Sequence, residues 1–135
     1  PYPPGAAQAF IATCLKPGAA EHVWVMDAQK IDGPEFVGVI GIRRTDGAPR
    51  IGYWVGPPFW NTGYASEAAI AVIAAARSAG SEAVEARIVA SNEASGHVLI
   101  NAGFKETGTG EFYGVAAGKM QEHRLFTLVF ERATA

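Results

Sequence analysis

Residues 51 to 68 read Ile51-Gly52-Tyr53-Trp54-Val55-Gly56-Pro57-Pro58-Phe59-Trp60-Asn61-Thr62-Gly63-Tyr64-Ala65-Ser66-Glu67-Ala68. An apolar, aromatic and β-branched run gives way to Gly and Pro, then to small apolar residues at helical spacing. That order describes a strand, a tight turn and the start of a helix. The first amides of a helix lack intrahelical acceptors and carry the positive end of its dipole, so they form a ready anion site. Gly63 permits close approach to the backbone, Ala65 keeps the first turn clear, and Thr62 and Ser66 add hydroxyl donors. A diphosphate is the natural guest of such a turn. The alternative is a plain structural strand-to-helix turn, because Gly before a helix is common. Neither Gly-x-x-x-x-Gly-Lys-Ser/Thr nor Gly-x-Gly-x-x-Gly occurs here, so nucleoside triphosphate and dinucleotide fingerprints are not supported.

The elements that must hold this turn follow from periodicity. Gly5 to Lys16 places Ala7, Phe10, Ile11, Cys14 and Leu15 at helical spacing and stops at Pro17-Gly18. His22 to Asp27 and Phe36 to Ile42 are rich in strand formers and flank Asp32-Gly33-Pro34, which predicts an antiparallel hairpin. Asp46-Gly47-Ala48-Pro49 turns the chain into a third strand, Arg50 to Gly56. Tyr64 to Ala79 is the strongest helix. Ala65, Ala68, Ala69, Val72, Ile73 and Ala76 form its apolar stripe, Glu67 favours its first turn, and Gly80 caps its end. Ala83 to Val89 alternates as a strand. Ser91-Asn92 caps a shorter helix that Gly103 closes. Two last strands are expected at Phe104 to Tyr113 and Glu122 to Phe130. The order α-β-β-β-α-β-α-β-β defines an α/β (α+β) domain with both antiparallel and parallel pairs in its sheet.

The whole sequence has 135 residues, is 49% hydrophobic and 18% charged, and carries a formal charge of −2. That is one domain, and a chain this apolar offsets its ordering entropy by burial. A lone Cys14 on an apolar helix face forms no internal disulfide and reads as a small core residue. With an isoelectric point near 5.9, binding to nucleic acid by bulk electrostatics is disfavoured. No apolar run approaches the length of a membrane span. His22, His97 and His123 lack metal-ligand spacing. Gly108-Thr109-Gly110 is read as a bend or bulge, since no strand-to-helix switch follows it. Trp24, Phe36, Trp54 and Phe126 are read as core aromatics, with some lining an acceptor pocket.

Two segments carry a resemblance. Gly52 through Ala68 is similar to Gly-Tyr-Trp-Leu/Val-Gly-Pro-x-Tyr/Phe-Trp-x-x-Gly-Tyr-Ala-x-Glu-Ala of the RimJ/RimL-like branch of the GNAT superfamily of N-acetyltransferases. Within it, Trp60-Asn61-Thr62-Gly63-Tyr64-Ala65 resembles the acetyl-CoA turn Arg/Gln-x-x-Gly-x-Gly/Ala, with Trp60 departing from the wider consensus. Asn92 to Phe104 is similar to the branch's Asn-x-x-Ser-x-x-Val/Leu-Leu-x-x-x-Gly-Phe. With the element order, the resemblance spans residues 1 to about 130. It implies the acyl-CoA N-acyltransferase fold in a single domain over residues 1–135. Relative to the family, this chain is expected to lack the first strand and helix, roughly 30 residues on the scale of a strand-helix unit.

The resemblance also assigns roles. Two neighbouring parallel strands splay apart, and the pantetheine arm of acetyl-CoA enters between them, beside Trp54, Val55 and Gly56. The amides of Asn61, Thr62, Gly63, Tyr64 and Ala65 hold the pyrophosphate, and Trp60 packs the loop or touches the cofactor. Asn92 contacts the pantetheine arm, although a helix N-cap alone would account for it. The Val55 amide polarises the thioester carbonyl. Leu99 stands where much of the superfamily has a Tyr that protonates the departing thiolate. Ser95 holds that role in the branch, and a first-turn helix residue is its alternative reading. Glu106, Glu111, Glu122, His123 and Tyr113 are candidates for a general base, against the simpler reading of solvated surface residues. Implied overall is transfer of acetyl from acetyl-CoA to a primary amine, either a protein N-terminal α-amine or a small molecule. Such an enzyme needs no metal, works in the cytoplasm without binding nucleic acid or membrane, and in this branch is compatible with a homodimer. A non-catalytic acyl-CoA-binding or interaction domain of the same fold is the competing reading.

Overall fold

In the computed structural model, residues 18, 20–27, 36–59, 63–114 and 117–131 are described. The expected helix over Gly5 to Lys16 lies outside them, as do Trp60, Asn61 and Thr62. Six strands form one sheet in the order β1-β2-β3-β4-β6-β5. They are β1 (Glu21–Met26), β2 (Gly38–Arg43), β3 (Arg50–Val55), β4 (Ala83–Val89), β5 (Lys105–Gly114) and β6 (Lys119–Val129). Helix α1 (Tyr64–Ser78) joins β3 to β4, and α2 (Glu93–Asn101) joins β4 to β5. The antiparallel pairs are β1–β2, β2–β3, β4–β6 and β5–β6, while β3–β4 is parallel. The sheet is therefore mixed, as the element order predicts.

Strand alternation decides which face is covered. Met26, Ile40, Ile51, Val84, Ala86 and Phe126 are buried and share one face with the helical residues Ala69, Val72, Ala76 and Leu99. Leu99 and Phe126 are among the largest fully buried side chains. Truncating either to Ala would cost about 2–5 kcal/mol through lost transfer energy and the cavity left behind. Both described helices pack on this face. The opposite face receives Arg43, Arg50, Gly52, Trp54, Glu85 and Arg87, whose strand neighbours point into the core.

The helix ends follow the glycines. After α1, Gly80 adopts φ 94°. Its N–H donates to the Arg77 carbonyl at 3.1 Å, and the Ser81 N–H donates to the Ala76 carbonyl at 3.1 Å. After α2, Gly103 adopts φ 104°, with matching bonds from Gly103 to Ile100 and from Phe104 to Leu99, both 3.0 Å. Each is the paired closure that a left-handed glycine permits. The Gly108 bend is a register shift in the β5–β6 ladder between Glu106 and Gly108.

Two expectations are corrected. Strand β6 begins at Lys119, three residues before the expected start, because the Gly118 turn lets Lys119 pair with Gly114. Among the four aromatics read as core, only Phe126 is buried; Trp24, Phe36 and Trp54 are 45%, 50% and 53% exposed. Phe36 and Trp54 instead pack on each other at 6.4 Å, and Trp24 stacks on His22 at 6.3 Å.

Candidate active site

The parallel ladder between β3 and β4 is short. Arg50 pairs with Glu85 and Ile51 with Ala86, and the register then stops. On their outer sides both strands stay paired, β3 with β2 through Val55↔Gly38 and β4 with β6 through Val89↔His123. Beyond Ile51 and Ala86 the two strands therefore part in a V while each stays paired with its other neighbour. Evenly spaced bonds are the rule between paired parallel strands, and here they stop after two pairs.

A cavity of about 480 Å³ occupies the gap and the space beneath the helices. Its walls come from β3 (Tyr53, Trp54, Val55), Phe59, the start of α1 (Gly63, Ala65, Ser66) and α2 with its cap (Asn92, Ala94, Ser95, His97, Val98, Asn101). Trp54, Val55, Gly63, Ala65, Asn92 and Ser95, singled out from sequence, are brought together here. Gly56 and the Tyr64 side chain are not among its walls, while the Tyr64 amide, the group expected to act, is the first of α1. Gly56 is buried, donates its N–H to the Val37 carbonyl at 2.9 Å and accepts from the Phe59 N–H at 2.8 Å. Tyr64 faces a second cavity of about 540 Å³ on the other side of α1, toward Trp24, Met26 and Ile40.

Backbone direction matters at the β3 rim. Alternate residues of an antiparallel strand turn their amides to opposite sides. Since Gly56 donates to Val37 beside β2, the amide of Val55 is turned toward β4 and the gap. At the other wall, Gly63 adopts φ 84° as the residue preceding α1, with no side-chain cap. Only Gly adopts this conformation without strain. The Glu67 N–H donates to the Gly63 carbonyl at 3.0 Å, so the α1 amides before Glu67 lie ahead of the first helical bond.

Asn92 caps α2 as expected: its Oδ1 accepts from the Ser95 N–H at 3.2 Å. Its amide nitrogen is left for another partner, since Asn92 is exposed at the cavity wall. Across the gap, the Tyr53 phenol donates to the Ser95 carbonyl at 3.1 Å. Burial raises the Tyr53 phenol above its ordinary value of 10.0, and hydrogen bonding to Ser95 opposes that rise. Tyr53 is therefore a neutral donor at physiological pH. Sequence reading passed over Tyr53 as a site residue. Its parity with Ile51 and Val55 was the available signal, because it places the phenol on the helix-covered face.

The candidate bases are dispersed over β5 and β6. Arg124 donates to Glu106 through Nε at 3.0 Å and Nη2 at 2.9 Å. That pairing holds the Glu106 carboxyl below the usual carboxylate range, which weakens it as a proton acceptor. Glu111 stands opposite Glu122 in the ladder, Tyr113 is 62% exposed, and His123 packs edge-on against Phe112 at 5.3 Å. None of the five lines the cavity. Arg124 also explains Gly96: a Cβ there would lie 2.8 Å from Arg124 Nη1. Leu99 is fully buried in the core.

Among the described residues no cluster of His, Cys, Asp or Glu is arranged to hold a metal ion, and no helix is long and apolar enough to cross a membrane.

The described elements thus form a mixed six-stranded sheet with one short parallel ladder and a helix that starts after Gly63. Residues 1–105 match the model of the acetyltransferase (GNAT) domain, and the chain belongs to that family. Its solved neighbours include members of the RimJ/RimL-like branch. Mycobacterium smegmatis RimJ, solved in complex with CoA-disulfide, is 27% identical with a TM-score of 0.64, covering 71% of this chain and 48% of its own. The chain thus spans about half the length of that relative. The ribosomal-protein-S5-alanine acetyltransferase from Vibrio fischeri aligns at 20% identity with a TM-score of 0.69, covering 82% and 62%. The microcin C7 self-immunity acetyltransferase MccE, in complex with acetyl-CoA and AMP, aligns at 18% identity with a TM-score of 0.68, covering 90% and 69%. No curated protein matches the chain significantly.

Proposed function

We propose that the chain transfers an acetyl group from acetyl-CoA to a primary amine, by direct attack within a ternary complex. The observation that carries this reading is the two-pair β3–β4 ladder and the cavity beyond it. An extended ligand arm fits there as a missing strand, with the start of α1 at one end for an anion. M. smegmatis RimJ, solved with CoA-disulfide, supports the choice of ligand.

In this reading, Trp54 and Val55 line one side of the pantetheine arm, and Asn92 contacts it through its amide while capping α2. Gly63, Ala65 and the preceding turn residues Trp60, Asn61 and Thr62 form the pyrophosphate end. Acetyl-CoA supplies the acetyl group. The Val55 N–H, turned into the gap, donates to the thioester oxygen as negative charge grows there. The acceptor amine arrives neutral, its C–N bond forms as the C–S bond breaks, and the proton it sheds passes to solvent. Ser95, with the neutral Tyr53 phenol beside it, delivers a proton to the departing sulfur, leaving amide and free thiol. The proton that the amine sheds to solvent is matched by one that solvent returns to Ser95, so atoms and charge balance.

Calorimetry with acetyl-CoA and thiol release with a panel of amines and N-terminal peptides test the proposal. Binding within roughly the micromolar to millimolar range of ordinary substrates, with amine-dependent thiol release, is expected. Absence of acetyl-CoA binding would overturn it. Burial of Leu99 at the superfamily's Tyr position favours one second reading, an acyl-CoA-binding domain without turnover. Binding without thiol release would select it.

A further inference from the structure

The sheet face that the described helices leave uncovered gathers three guanidinium groups. Arg43 on β2 stands directly opposite Arg50 on β3. Arg87 follows Glu85 and Ala86 on β4, whose partners on β3 are Arg50 and Ile51. Arg87 is therefore the first β4 residue past the last ladder pair, at the apex of the V. Like charges directly across a ladder are destabilising, so this arrangement is costly unless something offsets it. Arg43 lies 4.0 Å from Glu21. Glu85 shares the face, yet among the described residues neither Arg50 nor Arg87 makes an ion pair. Arg87 is held instead over the Phe112 ring at 3.9 Å, which fixes its position without neutralising it. Burial, then Arg50 and Arg43, lower its pKa, in keeping with three cations held close together.

We propose that Arg50 and Arg87 receive an oxyanion of the acceptor, a carboxylate or phosphate, so that the acceptor is an amine that also carries a negative group. The inference rests on the acetyltransferase reading above and names its substrate class. The β3–β4 ladder ends at Ile51 and Ala86, so Arg50 and Arg87 stand where the two strands part. From Gly52 beside the apex to Val55 is three residues, roughly 10 Å at about 3.3 Å per residue. An amine near Val55 and an anion at Arg50 and Arg87 then fit one small molecule or a few residues of peptide. Planar guanidinium forks match both oxyanions.

The test uses matched acceptors with the full chain. One pair is a short peptide with aspartate three residues from its N-terminus and the same peptide with asparagine there. The other is an aminoalkyl phosphate and the corresponding amino alcohol. We expect kcat/KM to favour an anionic member by about tenfold or more, the usual scale for a charge-assisted contact, and mainly through KM. Whichever pair shows the larger ratio identifies carboxylate or phosphate. Arg50→Met and Arg87→Met should each bring the ratio toward one, and Arg50→Glu should reverse it. Calorimetry with acetyl-CoA serves as the check that each variant is folded. Equal use of charged and neutral acceptors, or a preference that survives both Met variants, overturns the inference while the acetyltransferase reading stands. If no acceptor is turned over, calorimetric titration of the anionic peptide and phosphate decides. Binding lost in Arg50→Met supports the inference, and no binding by the wild-type chain overturns it.

Discussion

The phenol of Tyr53 on β3 donates a 3.1 Å hydrogen bond to the carbonyl of Ser95 on α2. It crosses the gap that the interrupted β3–β4 ladder leaves, so it ties the strand presenting Val55 to the helix presenting Ser95. In a sheet whose strands have parted, this contact replaces some of the missing ladder.

Tyr53→Phe removes the tie while keeping the ring. A net hydrogen bond is worth about 0.5–1.5 kcal/mol, so thermal melting should fall by only a few degrees. Turnover should fall more than stability, because the variant removes both the tie and the phenol beside Ser95. If kcat and the acetyl-CoA KM both match the wild type, the tie has no functional role.

Ser95→Ala separates the two hydroxyls. With Tyr53 intact, acetyl-CoA affinity should change little, and kcat should fall by about 10–100-fold, toward the lower end of what a positioned acid contributes. Single-turnover thiol release is the measurement. Full activity would remove Ser95 as proton donor.

Gly63→Glu attacks the start of α1. A side chain at φ 84° is strained by about 1 kcal/mol or more, and a carboxylate there repels a pyrophosphate. Calorimetry should show acetyl-CoA binding lost while circular dichroism shows the fold retained. Retained binding would count against this turn as the anion site.

Gly96→Ala is expected to change sign with its surroundings. A Cβ would meet Arg124 Nη1 at 2.8 Å, and the guanidinium is held by both bonds to Glu106. In the wild-type background the methyl group should lower the melting temperature by displacing this pair. In an Arg124→Ala background the same change should raise it, because Ala exceeds Gly in helix propensity by about 1 kcal/mol. Thermal denaturation of the four proteins completes the cycle.

The Glu106–Arg124 pair also sets a pH dependence. Its folded-state carboxyl pKa lies below the ordinary 4.5, with the Arg124 hydrogen bond as the main cause. A depressed pKa contributes stability above the unfolded value and loses it as pH falls through the folded one. Melting temperature measured from neutral pH downward should fall more steeply below about pH 4.5 in the wild type than in Glu106→Gln. Parallel curves would show that the pair carries no net stability.

Periodicity and turn chemistry are local, and they were legible. The hairpin, the helix from Tyr64, the Asn92 cap and the glycine closures at Gly80 and Gly103 each depend on residues within one or two turns of chain. Two motifs about 30 residues apart also carried the family, because a strand, an anion-binding turn and a capped helix each need particular small or polar residues. The gap was another matter. Whether Gly52 to Val55 bond to β4 depends on how strands distant in sequence lie side by side, which no local pattern encodes. Exposure of Trp54 likewise depended on which face the helices covered, whereas Trp24 shares the covered face with Ile40 but stands on the edge strand β1.

Residue types and spacing thus settled the order of the described elements, the start of α1 and the family. Tertiary structure alone decided that Tyr53 meets Ser95, that Arg124 consumes Glu106, and that Arg43, Arg50 and Arg87 share the face opposite the described helices. The physical reason is one of range. Backbone conformation and caps are paid for within a few residues, whereas cavities, ion pairs and charge clusters arise where distant strands are laid side by side.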